Sequence, residues 1–166
     1  GTDAVACMVV FEEGKPKKEE YRRYIIQTQN IPNDYAMMGE VLGRRFRRAL
    51  AEDGKWPDLI LIDGGKGQLN VATRILKGLA LQRLPVIAMA KGGDRRGRND
   101  MIFIPEHSEP IPLLPDSPVR YLLQRVRDET HRFTIQFHRK QRGKGHLRSI
   151  LEEIEGIGPA RRRSLL

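Results

Sequence analysis

The sequence predicts a mixed α/β fold, a sheet with parallel character flanked by helices, and three observations carry that expectation. Leu59–Ile62 (LILI) is a continuous branched-aliphatic run ending in Asp63-Gly64-Gly65, the pattern of a central strand buried on both faces. A helical stretch from about Gln68 to Gly78 separates it from a second apolar run, Pro85–Met89 (PVIAM). The order strand–helix–strand implies a right-handed crossover between parallel strands. Two further stretches, one on each side of this unit, repeat apolar residues every three or four positions, as helices laid on a sheet do.

Taken in order, Ala4–Phe11 (AVACMVVF) reads as a buried strand, Glu12–Pro16 as a turn, and Glu20–Gln27 as a less buried antiparallel partner. Asn33 is placed to cap a helix whose apolar positions are Tyr35, Met38, Val41, Leu42, Phe46, Ala49 and Leu50. Its opposite face carries Arg44, Arg45, Arg47 and Arg48. After the central unit, Lys91–Asp100 is glycine-rich, charged and aperiodic, as a mobile surface loop is, and Met101–Ile104 is a short strand. Pro105–Pro118 holds five of the ten prolines, which predicts an irregular connection. A long helix then runs from Ser117 to about Arg139, with Val119, Leu122, Leu123, Val126, Thr130, Phe133 and Phe137 as its buried stripe. Gln141–Leu147 reads as a polar hinge, which puts a domain boundary near residue 145 and divides the chain into 1–145 and 146–166.

Composition narrows the function classes. The 166 residues are 39% hydrophobic and 31% charged, with mean hydropathy -0.51, and no run approaches the ~20 apolar residues that span a bilayer. No membrane association is expected. A single cysteine, Cys7, excludes an internal disulfide framework, suits a cytoplasmic setting and, within an apolar stretch, reads as a structural thiol. Thirty Lys+Arg against 21 Asp+Glu give a net charge of +9, which favours a polyanionic partner because neutralised phosphates release counterions. Charge alone does not choose between DNA, RNA and anionic lipid.

Asp63 is the strongest chemical candidate, since strand C-termini in α/β sheets open the crevices where functional groups gather. The glycines beyond it allow a sharp turn, and Lys66 falls at a helix N-terminus suited to phosphate. The segment is not a P-loop, because the spacing G-x-x-x-x-G-K-[ST] is absent, Gln68 following Gly67. His131 points away from the buried stripe, alongside Gln124 and Asp128, and is either a solvated side chain or an active-site group. Asp34 is either a favourable charge at a helix start or a functional carboxylate. Asp94, Asp100 and Asp116 fall in loops without marking partners, and no Cys/His spacing suggests zinc. Ile154-Glu155-Gly156-Ile157-Gly158-Pro159, followed by Arg161–Arg163, resembles a helix-hairpin-helix, in which Gly156 and Gly158 bring backbone N–H groups to a DNA phosphate.

Val5–Phe11, EYRRYI (20–25), NDYAMM (33–38), PDLILIDGGKGQL (57–69), MAKGGDR (89–95), LPDS (114–117), RDETHRF (127–133), HRK (138–140) and Leu151–Pro159 together resemble the C-terminal half of the bacterial UvrC family. The resemblance implies a ribonuclease-H-like mixed sheet followed by the first part of a helix-hairpin-helix domain. It further implies a Mg²⁺- or Mn²⁺-dependent DNA endonuclease that incises on the 5′ side of a lesion in nucleotide excision repair. Its substrate would be damaged double-stranded DNA, and its partner a UvrB-type damage-recognition protein, with UvrA acting upstream. Asp63 matches the strand-end acidic residue, His131 the histidine of the long helix, both as metal-site groups, and Asp34 a further acidic position needed for cutting. Lys66, Arg95, Arg96, Arg139, Lys140, Gly156, Gly158 and Arg161 are the expected contacts to DNA phosphates. The family's core opens with an Asp-Ile-Ser-His strand immediately before the position of Gly1, and Asp3 does not match its metal-binding Asp. The expectation for the chain as it stands is therefore a weak or absent metal site. The alternative reading is a non-catalytic module that binds the DNA backbone.

Overall fold

The computed structural model describes residues 4–27, 33–92 and 100–153, the last stretch with side chains to Lys140. Among them eight strands and three α-helices follow in the order β1 (Val5–Met8), β2 (Phe11–Glu12), β3 (Lys15–Pro16), β4 (Arg22–Ile25), α1 (Asp34–Ala51), β5 (Ile60–Asp63), α2 (Lys66–Gly78), β6 (Val86–Lys91), β7 (Asp100–Phe103), β8 (Ile111–Pro112) and α3 (Pro118–Glu153), with a single 3-10 turn at Lys18–Glu20 before β4. No helix among the described residues is long and apolar enough to cross a membrane.

Strands β5, β6, β7 and β8 form one sheet in that order. β5 and β6 are parallel, with Asp63 opposite Met89, and the other two pairings are antiparallel. The mixed sheet and its α2 connection agree with the expected class. One detail differs: β5 is the terminal strand of this sheet rather than a central one, and only Ile62 in it is buried, while Leu59 is 45% exposed.

β1 pairs with β4 as the expected antiparallel ribbon, Val5 opposite Ile25. The predicted single strand Ala4–Phe11 is broken, however, because Phe11–Glu12 turns away to pair with Lys15–Pro16. The break falls at Val9–Val10, and the β2–β3 hairpin beyond it closes on a two-residue turn in which Glu13 and Gly14 both have positive φ, 51° and 73°. That conformation matches the right-handed twist of its flanking strands.

Two cores lie on opposite faces of the larger sheet. α1 and α2 pack on each other and on one face, through Leu42, Phe46, Leu69, Ala72 and Leu76 against Ile62, Val86 and Ala88. The other face buries Met89 and Ile102 against Leu123 of α3. α3 continues onto the β1–β4 ribbon, where Tyr21 meets Phe133 edge-on at 5.0 Å and Arg23 lies over Phe133 and Phe137. Tyr24, the next residue of β4, is buried; Arg44 of α1 lies over its ring and donates to the Ile25 carbonyl. The alternation of a strand thus turns Arg23 to α3 and Tyr24 to α1.

The expected helix stripes are narrower than their periodicity suggests. Leu42, Phe46 and Ala49 of α1 are buried, but Tyr35 and Leu50 are 47% and 48% exposed. On α3, Leu123 and Phe133 are buried, whereas Val119 and Leu122 are 56% and 40% exposed. The backbone of α3 also runs unbroken through the predicted hinge at 141–147 to Glu153. Glycine lowers helix propensity by about 1 kcal/mol without forbidding a helix. The hairpin segment at 154–166, including Gly156, Gly158 and Arg161, lies outside the described residues, as do Arg95 and Arg96.

Candidate active site

β5 ends at Asp63, and the backbone then turns sharply into α2. Gly64 donates its N–H to the Met89 carbonyl at 3.0 Å, extending the parallel ladder one residue past the strand. Gln68 folds back so that its Oε1 accepts from the Gly65 N–H at 3.0 Å. A Cβ on Gly64 would lie 2.9 Å from Gln68 Cγ and Cδ, so the closeness of this turn requires glycine. The arrangement leaves the Asp63 carboxylate beside the first turn of α2, whose leading N–H groups have no carbonyl within the helix.

His131 of α3 meets that carboxylate. Its Nε2 lies 2.6 Å from Asp63 Oδ2, and the two side chains are 52% and 45% exposed. They are 68 residues apart in sequence, so the pairing is a product of the fold. A charge-assisted hydrogen bond of this length orients both groups, and their exposure leaves the second carboxylate oxygen and the other ring nitrogen open to a substrate.

The remaining candidates are distributed around this pair. Asp34 opens α1, directly after Asn33, whose side chain accepts from the Tyr35 N–H as the predicted cap. The ring of Tyr35 lies against Gly67 so closely that a Cβ there would collide with it; the N-termini of α1 and α2 therefore meet beside the Asp63 turn. Lys66 is exposed and donates to the Ser108 carbonyl at 3.2 Å, which ties the 105–110 connection to the same end of the molecule. Arg139 and Lys140 are exposed on α3, two turns beyond His131. Asp128, Asp116, His107 and His138 are exposed as well.

Sequence reasoning missed one carboxylate. Asp100 was expected in a loop without partners, yet it begins β7 opposite Lys91 and is 6% exposed. It accepts from Gln124 at 2.7 Å and from Arg127 at 3.0 Å, with Arg120 Nε at 3.7 Å. Burial opposes its charged form, but the hydrogen bonds from Gln124 and Arg127 and the charges of Arg127 and Arg120 outweigh it. Together they hold the carboxyl below its ordinary value. The one available signal was the stripe Gln124, Arg127, His131 at helical spacing, a polar line facing the sheet end. Its partner on β7 could not be read from spacing.

Cys7 is half-buried, and burial raises its thiol pKa against a hydrogen bond with Thr134 and the charge of Arg23, consistent with a structural thiol. Asp63 and His131 offer one carboxylate and one imidazole; among the described residues, no group of three or more His, Cys, Asp or Glu gathers. An exposed carboxylate beside an imidazole suits Mg²⁺ or Mn²⁺, which take oxygen donors and keep several water ligands. The donor set therefore fits part of such a site.

Residues 1–135 match the family described as the UvrC RNase H endonuclease domain. The protein named UvrABC system protein C from Methylobacillus flagellatus is 48% identical over 166 residues, all of this chain and 28% of that protein. Its namesake from Gloeobacter violaceus is 47% identical over 171 residues, covering 100% of this chain and 26% of that protein. That from Desulforudis audaxviator is 44% identical over 182 residues, with 99% and 28% covered. The chain thus spans a little over a quarter of the length of these relatives, and by its sequence and its mixed sheet flanked by helices it belongs to the UvrC RNase H endonuclease domain family.

Proposed function

We propose that this chain is the nuclease part of a UvrC-type excision-repair protein, making the 5′ incision by metal-dependent hydrolysis of a phosphodiester in damaged double-stranded DNA. The supporting observation is the 2.6 Å contact between Asp63 Oδ2 and His131 Nε2 at the C-terminal end of a parallel strand.

Asp63 would hold Mg²⁺ or Mn²⁺ together with the carboxylate of the family's upstream strand, and His131 would stand as an outer group. When bound, such a cation polarises the scissile phosphate and lowers the pKa of an attacking water. The chain's own groups do the rest. With its proton on Nε2, His131 donates to Asp63 and presents Nδ1 to solvent, where it can accept a proton from water or pass one on. The N–H groups opening α2 and the Lys66 ammonium face the place a phosphate would occupy and offset its charge. Asp34 adds a carboxylate at the adjoining helix start. Arg139 and Lys140, with Arg95, Arg96 and the hairpin residues Gly156, Gly158 and Arg161, would follow the DNA backbone, reading phosphates rather than bases. The partners in this reading are UvrB-type and UvrA-type proteins, and the setting is the bacterial cytoplasm.

The test is a nicking assay on a lesion-bearing duplex with UvrA- and UvrB-type partners, run on the chain with and without the family's upstream strand attached. With that strand present, Asp63→Ala is expected to lower 5′ incision ~10³-fold or more, the scale of several kcal/mol of charge stabilisation, with DNA affinity nearly unchanged. Wild-type cutting by Asp63→Ala overturns the assignment. DNA binding without metal-dependent cutting in either form would instead leave the non-catalytic backbone-binding module.

A further inference from the structure

Asp100 is the one buried charged side chain among the described residues, and its position relative to Asp63 is informative. Asp63 is opposite Met89 and Asp100 is opposite Lys91. Because β5 and β6 are parallel, both carboxylates stand at the same end of the sheet, two residues apart along β6. Above them runs α3. Arg127 and Gln124 reach down to Asp100, and His131, four residues past Arg127, reaches down to Asp63. One helical turn is about 5.4 Å, so the two contacts bind the same helix face at successive turns.

The contacts differ in what they can fix. The Asp63–His131 pair is half-exposed, and a single exposed pair of this kind contributes little to holding a helix. Asp100 and Arg127 are 8% and 10% exposed in their side chains, and Asp100 also accepts from Gln124 one turn earlier. Two donors on consecutive turns converging on one carboxylate fix both the rotation of α3 and its slide along the sheet. A one-residue slip or a rotation of 100° would strand a buried charge.

We propose that Asp100, with Arg127 and Gln124, is a positioning device for the reaction: it sets the rotation and register of α3 and thereby delivers His131 to Asp63. This rests on the Asp63–His131 pair being the reactive site. The device acts through His131, and none of its three members touches substrate.

The experiment follows His131 itself. In this chain labelled at histidine, the His131 ring resonances are assigned by their loss in His131→Ala, then recorded for Asp63→Ala, Arg127→Leu and Arg127→Lys. Arg127→Leu is expected to displace the His131 signals along the same line as Asp63→Ala, since both break the same hydrogen bond, while His107 and His138 stay put. Arg127→Lys, which keeps the charge, returns them toward wild type. Gln124→Leu, which leaves the ion pair, gives a smaller displacement in the same direction and serves where Arg127→Leu does not fold.

In the nicking assay, Arg127→Leu is expected to lower kcat ~10–100-fold with little change in KM for DNA, the scale on which misplacing a reacting group by about 1 Å acts; Arg127→Lys restores most of it. Unmoved His131 resonances in folded Arg127→Leu, or unmoved in Gln124→Leu where the former does not fold, overturn the proposal. An unchanged kcat does so as well. Wild-type cutting by His131→Ala would instead sink the reactive-site reading, while the resonance shifts still report whether Arg127 places His131.

Discussion

Asp63 and Asp100 stand at the same sheet end, and each is met by a side chain from α3, yet they are built for different ends. Asp100 is nearly enclosed, accepts from Gln124 and Arg127, and has Arg120 close by. Asp63 is half-exposed and meets His131 alone among the described side chains. A buried carboxylate must be satisfied by its neighbours or the fold is destabilised. An exposed one is left with capacity to bind something else. Within one turn of helix, the protein separates the charge that holds the structure from the charge that is available for chemistry.

Stability measurements can break that comparison. Asp100→Ala should cost about 3–5 kcal/mol, because it leaves the nearly enclosed Arg127 guanidinium without its partner, and should lower the melting temperature by on the order of 10 °C. Asp63→Ala should cost under ~1 kcal/mol, visible as a shift of at most a few degrees in a circular-dichroism melt. A large loss at Asp63 or a negligible one at Asp100 would reverse the roles assigned to them.

Acid sharpens the same point. The carboxyl of Asp100 lies below its ordinary value of 3.8 in the folded chain. Its stabilising contribution is therefore complete above that ordinary value and is lost as pH falls through the lower folded one. Wild type should lose stability faster than Asp100→Asn as pH drops below 3.8, so their denaturant midpoints converge. Parallel curves would show that Asp100 is not held in its charged form.

A smaller effect tests another contact of α3. Tyr21 donates to Glu129 at 3.0 Å, and burial, with the hydrogen bond and charge of Glu129, pushes its hydroxyl pKa from 10.0 up to about 12. Tyr21→Phe should cost about 1 kcal/mol. Wild type should also lose that advantage as pH rises above 10.0 and through about 12, since the raised group stabilises only while protonated. Equal alkaline unfolding of both proteins would remove Tyr21 from the contacts that hold α3.

The sequence shows the carriers of the site more clearly than their support. Asp63 is legible because a branched-aliphatic run stops at it and two glycines follow, a purely local pattern. His131 is legible as a residue off the apolar stripe, and helical geometry alone places it on another face. Their meeting is not legible in either pattern, since it depends on how α3 crosses the sheet; the family resemblance supplied that link. Asp100 escaped notice because nothing next to it in sequence distinguishes it from Asp94 or Asp116, and its partners lie 24 and 27 residues onward. The broken first strand escaped for a related reason: the Glu13-Gly14 turn was visible, but the apolar composition of Val9–Phe11 outweighed it.

The alternation of Arg23 and Tyr24 along β4 has a consequence for both helices that bear site residues. One face of the ribbon grips α3 through Arg23 on Phe133 and Phe137, and the other grips α1 through Tyr24 and Arg44. A slip of one residue in the β1–β4 pairing exchanges the two faces together. The entry point of Asp34 and the seat of His131 are thus governed by a single zipper of four residue pairs, and an error in closing it would unseat both at once.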